Sequence, residues 1–160
     1  MISFRKAKKE DIDLYYRWAN DPAVRNYSYN KEEIKYDEHV RWFENRLDKP
    51  GTVLLVFFDE LNTPVGQVRI EGDEKSSLAL IGISIDEQFR GKGFAVKMLE
   101  EACSYYFNHE KIKTIQANVF KVNISSIKSF IKAGFVVVHE KKISNIDSVE
   151  MRLKFKNNAD

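Results

Sequence analysis

Between Ile81 and Ala95 the apolar run Ile81-Gly82-Ile83-Ser84-Ile85 is followed by Gln88-Phe89-Arg90-Gly91-Lys92-Gly93-Phe94-Ala95, and then by an amphipathic helical pattern. A strand that enters a helix through two glycines two residues apart has few ways to fold. Glycine accepts positive φ without steric penalty, so the backbone curls and points successive N–H groups into one concavity. The helix that follows adds its own unpaired first-turn N–H groups and the positive end of its dipole. This order of parts builds a site for a phosphate or pyrophosphate. Because Gly-x-Gly pairs also occur in ordinary turns, the weight rests on the strand before and the helix after.

Composition narrows the setting. The 160 residues, 43% hydrophobic, suffice for one domain with a substantial core. Lys and Arg exceed Asp and Glu by only two charges, so nothing drives the chain as a whole toward nucleic acid or an acidic membrane, and any anion binding must be local. Cys103, the single cysteine, has no disulfide partner, and Met1 to Lys6 is not followed by an apolar signal core. A soluble, cytoplasmic protein is expected. One cysteine and three scattered histidines form no metal-ligand spacing, so no metal is expected.

Hydrophobic periodicity predicts a strand over Ile2–Ala7, helices over Glu10–Asn20, Ala23–Tyr27 and Tyr36–Leu47, and strands over Thr52–Phe58 and Val65–Glu71. A turn at Gly72-Asp73-Glu74-Lys75 then leads into a strand over Ser77–Asp86. The helix Gly93–Asn108 places Leu99, Ala102, Cys103 and Tyr106 on one buried stripe. Strand Ile112–Val119, helix Ile124–Ala133 and strands Phe135–Lys142 and Asp147–Phe155 complete the order.

Three features of this pattern resemble the GNAT superfamily of acetyl-CoA-dependent N-acyltransferases. Gln88 to Ala95 fits the family's Arg/Gln-x-x-Gly-x-Gly/Ala pyrophosphate loop; Asn123-Ile124-Ser125-Ser126 opens a helix that closes at Ala133-Gly134-Phe135, its second signature; and the element order is that of its fold. The resemblance implies a single α/β domain over residues 1–157, with a central mixed, mostly antiparallel sheet of about seven strands flanked by helices. It also implies acetyl-CoA as cosubstrate. A narrower resemblance, carried by Trp18-Ala19-Asn20-Asp21-Pro22-Ala23-Val24-Arg25 and Glu38-His39-Val40-Arg41-Trp42-Phe43, is to the branch that acetylates nucleotide-linked amino sugars, notably the 4-amino group of a UDP-linked dideoxy sugar on the pseudaminic acid route. Related helices occur in GNAT enzymes acting on protein N-termini, antibiotics or polyamines. A non-catalytic acyl-CoA-binding module is the rival of another class. Monomer and homodimer are both open.

From the resemblance, Ile83, Ser84 and Ile85 would offer main-chain groups to the pantetheine arm, and Gln88, Phe89, Arg90, Gly91, Lys92, Gly93, Phe94 and Ala95 would hold the pyrophosphate. Arg90 is either a phosphate partner or a solvated charge, and Asn123 an N-cap, a coenzyme contact, or both. Phe130 stands in the coenzyme-side helix where many members carry a tyrosine, and it also falls on an apolar stripe with Ile127 and Ile131. Ser126 is therefore the candidate proton donor to the departing thiolate, with local backbone bonding as its alternative. Gln67, Arg69 and Glu71 share one strand face, making Gln67 and Arg69 acceptor-side candidates and Glu71 a candidate base or an ion-pair partner of Arg69. Tyr36, His39 and Trp42, three apart, border an acceptor pocket or pack inward, and Arg25 is a candidate for the acceptor diphosphate.

Overall fold

The computed structural model describes residues 1–73 and 75–156, so Glu74, within the expected turn, and the domain limit at Asn157 lie outside the described residues. Thr52–Phe58 (β2) explains why the chain folds in layers. Its side chains are buried almost without interruption because both of its faces are covered. Val53, Leu55 and Phe57 enter one apolar cluster with Met98, Leu99, Ala102 and Tyr106 of helix α4 (Phe94–His109), while Leu54 and Val56 enter another with Tyr15, Trp18 and Phe43. The second cluster belongs to helices α1 (Ile12–Ala19) and α3 (Tyr36–Leu47). Between those two helices lies α2 (Pro22–Asn26), its N-terminus capped by the Asp21 side chain.

With β1 (Ser3–Lys6), β3 (Pro64–Asp73), β4 (Leu78–Ile85), β5 (Thr114–Phe120), β6 (Val136–Ile143) and β7 (Ile146–Lys154), β2 forms a seven-stranded sheet in the order β1-β2-β3-β4-β5-β7-β6. Helix α5 (Ile124–Lys132) packs on the α4 side through Ile127 and Phe130. Every strand pair is antiparallel except β4–β5, which runs parallel and whose register holds only Ala79 opposite Ile115 and Leu80 opposite Gln116. Past that point β4 stays paired to β3 through Gly66–Ile85, and β5 stays paired to β7 through Phe120–Ser148. The two halves of the sheet therefore part.

The expected elements are all present, with ends displaced by one or two residues; β3 extends past Glu71 to Asp73. Asp86 fixes the end of β4. Its backbone N–H donates to the Val65 carbonyl (2.8 Å), and its carboxylate accepts from Trp18 Nε1 (2.9 Å), Arg17 Nη2 (3.0 Å) and the Gln88 N–H (3.0 Å). Burial alone would raise its pKa, but the Trp18 and Gln88 hydrogen bonds and the Arg17 charge outweigh it and hold the carboxyl below its ordinary value.

Asp86→Asn should cost about 1–3 kcal/mol of stability at neutral pH, measured by denaturant unfolding. Because the folded-state pKa is the lower one, the wild-type advantage is complete above the unfolded value. It should fade below about pH 4 and vanish once the folded value is passed. An advantage that grows on acidification would contradict this assignment.

Candidate active site

The glycine loop is built as the sequence requires. Asp86 caps a short 3-10 turn, Glu87–Phe89, and Gly91 and Gly93 then adopt φ of 74° and 82°, with nothing within 4 Å of where a Cβ would stand on either. Conformation, not crowding, requires glycine here. Helix α4 starts at Gly93 with no side-chain cap and no acidic residue in its first turn, so its N–H groups and dipole face an open concavity. Lys92 lies over the Phe89 ring at 5.5 Å, and Phe89 meets Phe94 edge-on. Arg90 differs from both expectations: its Nη2 pairs with Asp21 (3.1 Å) and its Nε donates to the Ile85 carbonyl (3.0 Å), so it ties the loop to α2.

The opening between β4 and β5 leads from this loop across the sheet, with Ile83 and Ile85 packed toward the α4 core and Ser84 turned the other way. On the α5 side Asn123 Oδ1 accepts from the Ser126 N–H (3.3 Å), a capping bond. The half-buried Ser126 hydroxyl has no protein partner among the described residues. Phe130 is 3% exposed and meets Phe135 edge-on at 5.0 Å, as the apolar-stripe reading of this position requires.

The face of the sheet opposite α4 is polar around the opening. Gln67, Arg69 and Glu71 stand opposite Ser84, Gly82 and Leu80, and across the gap Gln116 and Asn118 stand opposite Arg152 and Glu150. Gln67 Nε2 donates to Ser84 Oγ (3.1 Å), leaving the buried Gln67 Oε1 without a partner among the described residues. The Arg69 guanidinium lies flat against Gly82. Glu71 pairs with Arg46 of α3 (2.9 Å) and with Arg69 (4.0 Å), which corrects its expected role as a base in favour of the ion pair.

Two further expectations are corrected. His39 is buried, and its Nε2 donates to the Ile12 carbonyl (2.9 Å); burial pulls its pKa below the usual value despite that bond. Its ring packs against Trp42, Phe43 and Tyr16, Tyr36 Oη donates to Asp13, and Trp42 also carries Arg46 over its ring. The trio joins α3 to α1, with His39 inside that contact. Arg25 does not wait for a diphosphate: its guanidinium donates to the carbonyls of Ala19 (2.8 Å), Asn30 (2.7 Å) and Glu32 (3.3 Å) and to Ser28 Oγ (3.2 Å). It organises the segment that carries Tyr29 across to Ser148 of β7, a 2.7 Å hydrogen bond, with Tyr29 edge-on to Phe120.

Sequence reading missed the far bank. Glu150 is buried among Lys141, Arg152 (3.3 Å) and His139 (3.5 Å), and the Lys141 bond, opposed by burial, holds its carboxyl below the ordinary range. Arg152 Nε also donates to Gln116 Oε1 (3.2 Å). The period-two alternation that singled out Gln67, Arg69 and Glu71 was equally present in Gln116/Asn118 and Ser148/Glu150/Arg152.

Arg25→Lys keeps the charge but loses the fork of donors that fixes the 27–35 segment. It should raise KM for the acceptor several-fold, roughly the loss of one or two hydrogen bonds, and leave coenzyme affinity within about twofold. Equal losses for both substrates would place Arg25 in general stability instead.

Among the described residues no helix is long and apolar enough to cross a membrane, and no group of three or more His, Cys, Asp or Glu is placed to hold a metal. Acetyltransferase PseH of Campylobacter jejuni is 26% identical over 141 residues, 88% of this chain and 86% of that protein. The L-amino acid N-acetyltransferase AaaT of Escherichia coli is 26% identical over 139 residues, 85% of this chain and 83% of that one. Spermidine N-acetyltransferase from Vibrio cholerae, solved with CoA and spermine, superposes with a TM-score of 0.84 over 96% of this chain and 95% of that one at 19% identity, a likeness of fold. Residues 2–136 match the family model described as the acetyltransferase (GNAT) domain, and with its glycine loop, parted strands and second-signature helix in place, the chain belongs to the GNAT acetyltransferases.

Proposed function

We propose that this enzyme transfers acetyl from acetyl-CoA to a primary amine on an acceptor that carries negative charge, most consistently the 4-amino group of a UDP-linked amino-dideoxy sugar. The observation that carries the acceptor class is the charge on the polar face. Arg46, Arg69, Lys141 and Arg152 gather there against the carboxylates Glu71 and Glu150. A polyamine groove needs the opposite sign, because each ammonium must find a carboxylate. The resemblance of Trp18–Arg25 and Glu38–Phe43 to the amino-sugar branch supports the sugar, and the similarity to acetyltransferase PseH supports acetyl transfer. Residues 1–157 act in this reading as one cytoplasmic catalytic domain.

The chain's residues fit the coenzyme. Two left-handed glycines and an uncapped helix start form an anion cradle, which Gln88, Lys92, Phe94 and Ala95 flank. The main-chain groups of Ile83 and the N–H of Ile85, which face the opening while Ser84 is laddered to Gln67 and the Ile85 carbonyl accepts from Arg90, receive the pantetheine arm, and Asn123 steadies the helix that faces it. Bound acetyl-CoA supplies an activated acyl group: the amine nitrogen forms the C–N bond, the C–S bond breaks, and one N–H proton ends on sulfur. Ser126, whose hydroxyl has no protein partner among the described residues, delivers that proton, and main-chain N–H groups bordering the opening stabilise the charge that builds on the carbonyl oxygen. Gln67, fixed on Ser84 with one amide oxygen to spare, orients the acceptor from the other bank.

Gly91→Glu or Gly93→Glu should weaken calorimetric acetyl-CoA affinity at least about tenfold, since each forces a strained φ and places a carboxylate in the cradle. Unchanged affinity in both folded variants would remove the coenzyme assignment. Ser126→Ala should lower kcat about tenfold or more while KM for acetyl-CoA stays within about twofold. A fall in thermal midpoint with normal kcat would make Ser126 a structural residue. A UDP-linked 4-amino sugar should be acetylated far more efficiently than the same sugar without its nucleotide, and equal efficiency would refute the acceptor.

A further inference from the structure

Acyl transfer needs a neutral amine, yet no free base stands at the opening. Among the described residues the carboxylates on the polar face around the opening are Glu71, held by Arg46 and Arg69, Glu150, held by Lys141, Arg152 and His139, and Asp86 at the end of β4, held by Trp18, Arg17 and the Gln88 N–H. The histidines lie elsewhere: His39 is buried in α3, His109 is stacked on Tyr105 at the end of α4, and His139 sits on the edge strand β6. What does stand there is a cation. Gly82 is two residues past the last β4–β5 pair, and Arg69 is its register partner on β3. A Cβ on Gly82 would lie 2.5 Å from Arg69 Cζ, 2.6 Å from Nη2 and 2.8 Å from Nη1. All three atoms of the guanidinium fork therefore occupy the space that any other residue would fill, at the head of the opening.

We propose that Arg69, laid across Gly82, is an electrostatic element of the reacting centre whose fixed positive charge keeps the acceptor nitrogen in its neutral, nucleophilic form, so that the enzyme works without a protein base. A second positive charge close to a cation is disfavoured in a partly desolvated site, so a bound ammonium sheds its proton to solvent more readily. The surroundings do not cancel that charge. From β3 Glu71 approaches Arg69 at 4.0 Å but is shared with Arg46 of α3, so those three groups sum to one positive charge. From α2 Arg25 adds another cation within its field, and from α1 Tyr15 contributes a phenol that burial keeps neutral. Across the opening Gln116 and Asn118 are neutral, and Glu150 is outnumbered by Lys141 and Arg152.

The protons then balance. The ammonium form gives one proton to water on binding; the neutral amine forms the C–N bond as the C–S bond breaks; its remaining surplus proton passes to sulfur. The same field explains why an acceptor with its own phosphates suits the site, since they offset the repulsion that the amine meets. This inference rests on the acetyltransferase reading but not on the identity of the sugar.

The test uses Arg69→Gln, which removes the charge, Arg69→Lys, which keeps it, and Gly82→Ala, which displaces the guanidinium without touching it chemically. A UDP-linked 4-amino sugar, spermidine, a free L-amino acid and a peptide N-terminus are offered, and whichever is turned over serves as probe. With saturating probe, the acid limb of the kcat profile should move up by about one pH unit in Arg69→Gln and Gly82→Ala and stay in place in Arg69→Lys. Without acetyl-CoA, calorimetry of probe binding near neutral pH in two buffers of different ionisation heat should count close to one proton released by the wild type and less than about half of one by Arg69→Gln. An unmoved acid limb with an unchanged proton count would overturn the role of Arg69. Turnover of spermidine or peptide in place of the sugar, with the shift intact, would retire the sugar and keep this inference. Turnover of none of the amines would remove both.

Discussion

The structure depends on a ladder that stops. β4 and β5 share two residue pairs and then separate, each still fastened to its other neighbour. Buried backbone N–H and C=O groups are almost always paired, so a strand with one side unladdered in the middle of a sheet is suited to bond another main-chain-like partner. Asp86 holds the end of β4 to Val65 on β3 and to Trp18 and Arg17 on α1, while the β5–β7 register holds the other bank. The glycine loop follows directly after this anchor. One carboxylate thus sets both where the strand ends and where the cradle begins.

The two faces of the sheet then divide the work. On the α4 side the opening is backed by a fully apolar core, from Leu55 and Val68 to Met98 and Tyr106, which gives a stiff and dry wall. On the other side helices α1 to α3 cover β2 and leave the polar half of the sheet to Arg69, Glu71, Gln67 and the Glu150 cluster. Arg25 and Tyr29 carry the α2–α3 segment across to Ser148, so the polar face is framed by chain from both ends of the sequence. That framing makes the face a joint product of segments more than a hundred residues apart, with Tyr29 and Ser148 separated by 119.

Much of this was legible in the residues, and the misses have physical causes. The strand, glycine pair and helix between Ile81 and Ala95 could be read because backbone geometry dictates those residue types locally. The buried stripe of α4 and the core position of Phe130 followed from helical spacing. His39 and Trp42 misled because a one-dimensional pattern gives a helix face but not the neighbour it faces; here the neighbour is α1. Arg25 and Arg90 misled because a guanidinium satisfied by carbonyls or by Asp21 looks in sequence like one awaiting a ligand. Glu150 and Arg152 were missed because their importance comes from β7 inserting between β5 and β6, an order that local sequence does not encode. The role of Gly82 was out of reach for the same reason, since its space is needed by a side chain on another strand.

In the proposed mechanism the parted strands and the glycine loop form one continuous coenzyme site. Amide hydrogen exchange of the full chain with and without CoA measures this directly, because ligand bonding to unladdered N–H groups slows their exchange. One continuous site requires new protection over Gly82–Ile85 and Gly91–Ala95 together, with the β6–β7 hairpin unchanged. Protection confined to other segments, or none at saturating CoA, would contradict it.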